Sequence, residues 1–428
     1  MTFQKWLEKN SKCASYKHFD YKISLKDVIF EIQNPNNIEK HSFKPIISYK
    51  KITKKYNKNE NETKIKEREI NYCSHYDRCI YQYYSFLLGN QYEDYVKEHK
   101  IYDNVLAYRR DLKKNNIFFA NRAFSFIKNY EECIVFVGDF TKFFDNLDHK
   151  YLKKQICKVL NALILPNDYY SVFKSLTKYA SVDSKELEKT IIKEGIETKD
   201  ILMSMKELRG HKGLIKQNPK DYGIPQGISI SGLLSNVYMI DFDESCKRLA
   251  REYNGLYLRY CDDFIFVFPN QKIQDVNYFH KKIENNVHRV PKLELSKEKT
   301  QIYYCSKGKV QNCEKEIGKT MNGKNTIDYL GFTYNGNLIS IRDKTISKYY
   351  YRLYRKIKSI NIQRENNLKG KGCSNLYLNY SLKGTKNKMN FLSYVLRCER
   401  VFGKSENVNR VLNTHYGKIK KRIKKLGG

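Results

Sequence analysis

The chain is 428 residues long and carries 80 Lys and Arg against 46 Asp and Glu, a formal charge of +34. That excess argues against an acidic small-metabolite enzyme and favours a polyanionic partner, because cationic side chains gain affinity for nucleic acid by releasing its condensed counterions. At 41% hydrophobic residues the chain can still build a sizeable core, so it is no disordered basic tail; its length suits two to three domains or one multilobed enzyme.

Residues 1–49 mix short apolar segments with turns. KKITKKYNKNENETKIKER (50–68) is polar and basic, as in an exposed loop or hairpin. Apolar spacing in CIYQYYSFLL (79–88) predicts a helix, and the β-branched and aromatic run ECIVFVGDF (132–140) predicts a buried strand. A helix should follow, capped by Asp148 and running through HKYLKKQICKVL. Residues 165–220 read as helical and charged. GIPQGISISG (223–232) is a turn-rich loop that opens a helix through LLSNVYMIDFDESCKRLAREY. GLYLRYCDDFIFVF (255–268) predicts a hairpin of two alternating strands around a short Asp-Asp turn. LELSKEKTQIYY (293–304) and TIDYLGFTYNGNLISI (326–341) predict a loop or helix end and a further hairpin. The remainder is basic and helical, with a polar loop near 364–388.

No segment approaches the roughly 18 to 20 apolar residues of a membrane span. The opening MTFQKWLEKNSK lacks the features of a secretion signal, and the 11 scattered cysteines include no CxxC pair. Reduced thiols and a cytoplasmic location are therefore expected.

Three carboxylates carry the chemistry. Asp139 ends the predicted strand, and Asp262 and Asp263 sit at the predicted hairpin tip. If both elements belong to one antiparallel sheet, the three converge at one edge. Mg²⁺ takes one or two carboxylates, substrate phosphates and waters. Two such ions about 3.5–4 Å apart clamp the attacking and leaving oxygens of a phosphoryl transfer. Asp139 with Asp262 is the minimal bridging pair, with Asp263 an outer ligand. Each acid alone is also compatible with turn or cap chemistry.

GDFTKFFDNLDH (138–149), GIPQGISISGLLSN (223–236), LRYCDDFIFVF (258–268), LSKEKTQIYY (295–304) and DYLGF (328–332) resemble, in order and spacing, five motifs of reverse transcriptases. REINYCSHYDRCIYQ (68–82) and NVLAYRRDL (104–112) resemble the fingers motifs of that family. The resemblance implies an α+β right-hand polymerase with an antiparallel catalytic palm sheet and a helical thumb. Its parts would be an N-terminal extension and fingers (1–130), a palm (131–342) with a helical insert about 160–222, and a basic thumb and tail (343–428). It implies two Mg²⁺ ions, with Mn²⁺ as a substitute, held at Asp139, Phe140, Asp262 and Asp263.

The family likeness assigns further roles. Phe144, five residues after Asp139, matches the sugar gate that sterically excludes a 2′-hydroxyl; the alternative is that Phe143 or Phe144 only fills the core. Gln226 and Gly227 match the turn near the nascent base pair, where a missing Cβ admits a nucleotide. Lys299 matches the lysine near the leaving pyrophosphate. Arg78 and either Arg109 or Arg110 match the triphosphate grip, a task suited to bidentate guanidinium donors. Leu330, Gly331 and Phe332 match the primer grip, with Leu330 or Phe332 packing on primer or core.

The implied reaction is attack of a primer 3′-hydroxyl on a dNTP, templated by RNA. YKHFDYKISL, KHSFKPII, AYRRDL and NFLSYVLRCERVFG resemble the bacterial defence-associated reverse transcriptases, the unknown-group and abortive-infection relatives. That implies a noncoding RNA partner and a DNA product made against phage. The basic stretches 50–68, 364–388 and 415–428 interleave lysine with tyrosine or asparagine, a surface suited to RNA. The alternatives are a template-independent or protein-primed DNA-synthesising relative and a noncatalytic RNA-binding scaffold.

Overall fold

A computed structural model describes residues 2–57, 62–109, 112–365, 373–385 and 389–425. The chain forms two units, each assembled from segments distant in sequence. One comprises Met1–Leu112, Phe140–Cys246 and Asn285–Leu295; the other comprises Lys113–Asp139, Lys247–Glu284 and Ser296–Gly428.

In the first unit, Ile46–Asn57 and Glu62–Tyr72 pair as a long antiparallel hairpin, the exposed basic element read at 50–68. At its base Ile46–Ser48 also pairs in parallel with Ser181–Asp183, making a four-stranded sheet with Ala180–Asp183 and Ile215–Gln217. These two short strands lie in the stretch read as helical. Each spans only three or four residues, too few to show a period of two. They hold because Val182 packs with Ile47, Phe19, Leu187, Met203 and Leu208 in one buried cluster.

The helix read at 79–88 runs over His75–Glu98; buried positions such as Ile80, Tyr84, Leu88 and Tyr92 recur at helical spacing, and Cys79, Tyr81, Ser85 and Phe86 are buried as well, so the helix is enclosed on most sides. Ser74 caps it by accepting from the Asp77 N–H at 3.1 Å, and the Asp20 carboxylate accepts from the His75 and Tyr76 N–H groups at 3.0 Å each. Asp148 caps His149–Val159 as anticipated, accepting from the Tyr151 N–H at 2.8 Å. The helix after the turn-rich loop is two helices, Ser231–Tyr238 and Ile240–Glu252.

In the second unit, five strands form an antiparallel sheet in the order Leu256–Tyr260, Asp263–Pro269, Glu132–Asp139, Gln301–Ser306, Lys309–Asn312. Residues 133–136 and 264–268 are fully buried, so both faces of the central strands are covered and the expected alternation is absent. Each buried Phe or Val contributes roughly 1.5–3 kcal/mol. Three short strands, Ile327–Tyr329, Phe332–Tyr334 and Ile339–Ile341, make a separate antiparallel sheet. Helices Asp343–Glu365, Cys373–Tyr380, Phe391–Phe402 and Glu406–Lys425 follow; the second lies within the stretch read as a polar loop. No helix among the described residues is long and apolar enough to cross a membrane. No disulfide joins any two of the ten cysteines whose side chains are described.

Candidate active site

Asp139 is the last residue of the central strand of the five-stranded sheet. In the antiparallel register it faces Asp263, the first residue of the adjoining strand. Cross-strand partners share a face, so both carboxylates project from one side. The hairpin that delivers the second acid turns on Cys261 and Asp262, with Tyr260 paired to Asp263. The turn is thus not Asp-Asp, as the sequence pattern suggested: Asp262 is at the tip and Asp263 is a strand residue. The reason is the strong pairing of Asp263 with both neighbours. Cys261 takes φ +59°, the left-handed value a two-residue hairpin demands, at a cost of about 1–2 kcal/mol for a residue with a side chain.

The electrostatics follow from this crowding. Burial raises the proton affinity of the Asp262 carboxyl, and the charge of Asp139 adds to it. Asp263 is pushed up to about 8, by burial first and then by Asp262 and Asp139. One ammonium compensates: Lys299 Nζ lies 2.5 Å from Asp139 Oδ1. Three carboxyl groups against one cation leave surplus negative charge in a half-buried place. An all-oxygen donor set of that kind fits hard divalent cations such as Mg²⁺ or Mn²⁺. Among the described residues no three His, Cys, Asp or Glu side chains close into a cage. Phe140, the next residue after Asp139, buries its ring against Phe143 at 5.7 Å and Phe242 at 5.5 Å, so only its main-chain oxygen has ligand chemistry.

The first unit separates the two adjacent phenylalanines. Phe143 is 4% exposed, whereas Phe144 is only half-buried, its ring edge-on to Phe143 at 5.5 Å. The Phe144 carbonyl accepts from the Ile224 N–H at 3.0 Å, which ties that ring's backbone to the turn-rich loop. In that loop Gln226 is half-buried, and its carbonyl accepts from the Asn71 N–H at 2.7 Å. Gly227 adopts φ +110°, and a Cβ there would stand 2.3 Å from the Asn71 carbonyl oxygen. The expectation that Gly227 is bare to admit a nucleotide is therefore replaced by a nearer reason: the hairpin strand Glu62–Tyr72 occupies that space.

The fingers arginines fare differently. Arg109 has a fully buried side chain that donates from Nε and Nη2 to Glu93 at 2.6 and 2.5 Å and from Nη1 to the Tyr102 and Val105 carbonyls. It also lies 4.4 Å above the Tyr102 ring. Four of its five donors are thus engaged in the core, so it is a packing and pairing residue and not an exposed triphosphate ligand. A sequence cannot display that burial, because Arg in a loop is exposed by default. Arg110 lies outside the described residues. Arg78 is half-buried and donates from Nη2 to the Lys12 carbonyl at 3.2 Å.

In the second unit, Leu330 and Gly331 are the two central residues of a hairpin turn with φ +49° and +91°, the type I′ pattern. Phe332 is fully buried, 4.8 Å from Phe402, so it is the core member of the pair; Leu330 stays half-exposed at the tip. Its carbonyl accepts from Asn116 Nδ2 at 3.1 Å. Two residues that sequence reasoning passed over also sit at these places. Asn71 anchors the turn-rich loop, and Arg259, fully buried, donates from Nη1 to the Cys261 carbonyl at 2.9 Å. A lone charged residue inside the apolar run LYLRY was the available signal for the latter.

A family model described as reverse transcriptase (RNA-dependent DNA polymerase) matches residues 34–334. No curated protein matches the chain. Among solved structures it is similar to apo telomerase from Candida tropicalis, at 13% identity and TM-score 0.46 over 97% of this chain and 66% of that one. It is also similar to telomerase from Candida albicans in complex with a TWJ fragment of telomeric RNA, at 12% identity and TM-score 0.41 over 93% and 66%. The chain spans just under two thirds of the length of these structures.

Proposed function

Since this chain belongs to the reverse transcriptase family, we propose that it is an RNA-directed DNA polymerase that extends a primer with dNTPs. The observation that carries the proposal is the register of Asp139 against Asp263, with Asp262 at the adjoining tip and Lys299 on Asp139. Two divalent cations bound there would neutralise the triphosphate and acidify the primer 3′-hydroxyl. Asp139 and Asp262 would hold them, with Asp263 as the outer acid and the main-chain oxygen of Phe140, the residue after Asp139, as a further donor. Lys299, whose ammonium lies on Asp139, would supply positive charge to neutralise the departing pyrophosphate. No protein nucleophile is required; orientation and charge supply the catalysis.

Phe144 takes the role of sugar gate, supported by its exposure next to a buried Phe143. Gln226 lies beside the nucleotide, and Leu330 contacts the primer. Fingers at 1–130, palm at 131–342 and thumb at 343–428 remain our division of labour. RNA is the template. The hairpin supports this partner: its pairing puts Lys51, Lys66 and Arg68 on one face, while the other carries the Lys50–Glu67 ion pair at 3.2 Å. Like charges set opposite one another cost free energy that a phosphate backbone would offset. The motifs shared with defence-associated relatives extend the proposal to a noncoding RNA and an antiphage role.

The test is nucleotide incorporation on an RNA template. Asp139→Ala and Asp262→Ala should abolish it while gel-shift affinity for the same RNA stays within about twofold. Wild-type incorporation by either variant removes the proposal.

A further inference from the structure

Arg259 is the only charged residue of the Leu256–Tyr260 strand and is fully removed from solvent. A buried guanidinium costs several kcal/mol unless its donors are satisfied, and an apolar side chain of similar volume often serves a core as well or better. Its position in the register is informative. Arg259 faces Phe264, whereas Tyr260, Asp263 and Asp139 form the next row and project from the opposite face. The guanidinium thus approaches the hairpin tip from behind the carboxylates. What it reaches there is the Cys261 carbonyl, 2.9 Å from Nη1.

That carbonyl belongs to the peptide joining Cys261 to Asp262, which is trans, since the described chain has no cis peptide bond. In a trans peptide the C=O and N–H point in opposite directions. Turning the oxygen back toward Arg259 therefore turns the Asp262 N–H forward. Cys261 stands at φ +59°, a conformation that needs an external hold in a residue with a side chain.

We propose that Arg259 is a positioning residue: by holding the Cys261 carbonyl it locks the tip peptide in the one orientation that presents the Asp262 carboxylate to a divalent cation. The inference rests on the polymerase reading of the same acids. It goes beyond that reading by giving a role to a side chain that touches neither cation nor substrate.

The experiment is a Mn²⁺ titration followed by electron paramagnetic resonance, on the full chain without nucleotides, alongside thermal denaturation. Wild type and D262A define the site: if D262A removes no Mn²⁺ bound by wild type, the polymerase reading itself has failed. Given a site, R259K, which keeps the charge but not the guanidinium geometry, should bind Mn²⁺ about tenfold or more weakly, the range seen for groups behind metal ligands. Its melting temperature should stay close to wild type, and R259Q should bind more weakly still. A folded R259K with wild-type Mn²⁺ affinity overturns the inference. So does an R259K chain that fails to fold, because the guanidinium would then be a requirement of the core.

Discussion

Replacing Asp263 by asparagine should stabilise the cation-free protein, by an amount that grows from about pH 4 and levels off above about pH 8. An amide of the same size keeps the shape and deletes one of three crowded charges. Two routes give the magnitude. Cross-strand carboxylates about 5 Å apart repel by roughly 3 kcal/mol at an effective dielectric near 20. Moving the carboxyl from its ordinary 3.8 to about 8 corresponds to roughly 6 kcal/mol, with burial included. The sign follows from proton binding. The folded chain keeps the Asp263 proton up to about pH 8 and the unfolded chain loses it near pH 4, so wild-type stability falls as pH rises through that window. The Asp263→Asn protein lacks the group and should be flatter there. In EDTA, urea denaturation at pH 5 should find the variant ahead by no more than about 2 kcal/mol. At pH 9 the variant should be more stable by about 3–6 kcal/mol. Millimolar Mg²⁺ at pH 9 should stabilise both proteins, which share Asp139 and Asp262, and should narrow the gap because wild type has one more charge to neutralise. A stability difference that is the same at pH 5 and pH 9, or a variant that is weaker at pH 9, would refute mutual repulsion of these acids.

Phe144→Ala should raise ribonucleotide use relative to dNTPs about tenfold or more in single-nucleotide incorporation. Phe143→Ala should instead cost about 3–5 kcal/mol of stability and leave that ratio alone. Arg109→Met should destabilise by about 3–5 kcal/mol, because Glu93 keeps its charge without a partner; the dNTP KM of the folded fraction should not change. Removing Lys51, Lys66 and Arg68 together should flatten the salt dependence of single-stranded RNA binding by roughly 2 in log–log slope, as measured by fluorescence anisotropy. Removing Lys50 alone should do far less.

Periodic elements and covalent order were readable before folding. The strand ending at Asp139, the helix over His75–Glu98, the Asp148 cap and the basic hairpin all have local causes: a run of β-branched residues, a helical apolar stripe, a capping side chain, a lack of apolar content. The ordered motifs likewise named the acids that meet in the sheet. Three-residue strands such as Ile215–Gln217 escaped notice because nothing local stabilises them; they exist through Val182 and Ile47 packing from elsewhere in the chain.

Adjacency in sequence says nothing about direction in space, and there folding alone decided. Phe143 and Phe144 are chemically identical neighbours, yet one fills the core and the other meets solvent. Arg109 reads as a surface cation and is sealed onto Glu93. Asp262 and Asp263 read as one turn and divide between a tip and a strand. Arg259 reads as an interruption and stands behind the tip. In each case the outcome depends on which partner a tertiary contact supplies: burial cost, register and hydrogen-bond completion are properties of the pair and never of either residue alone.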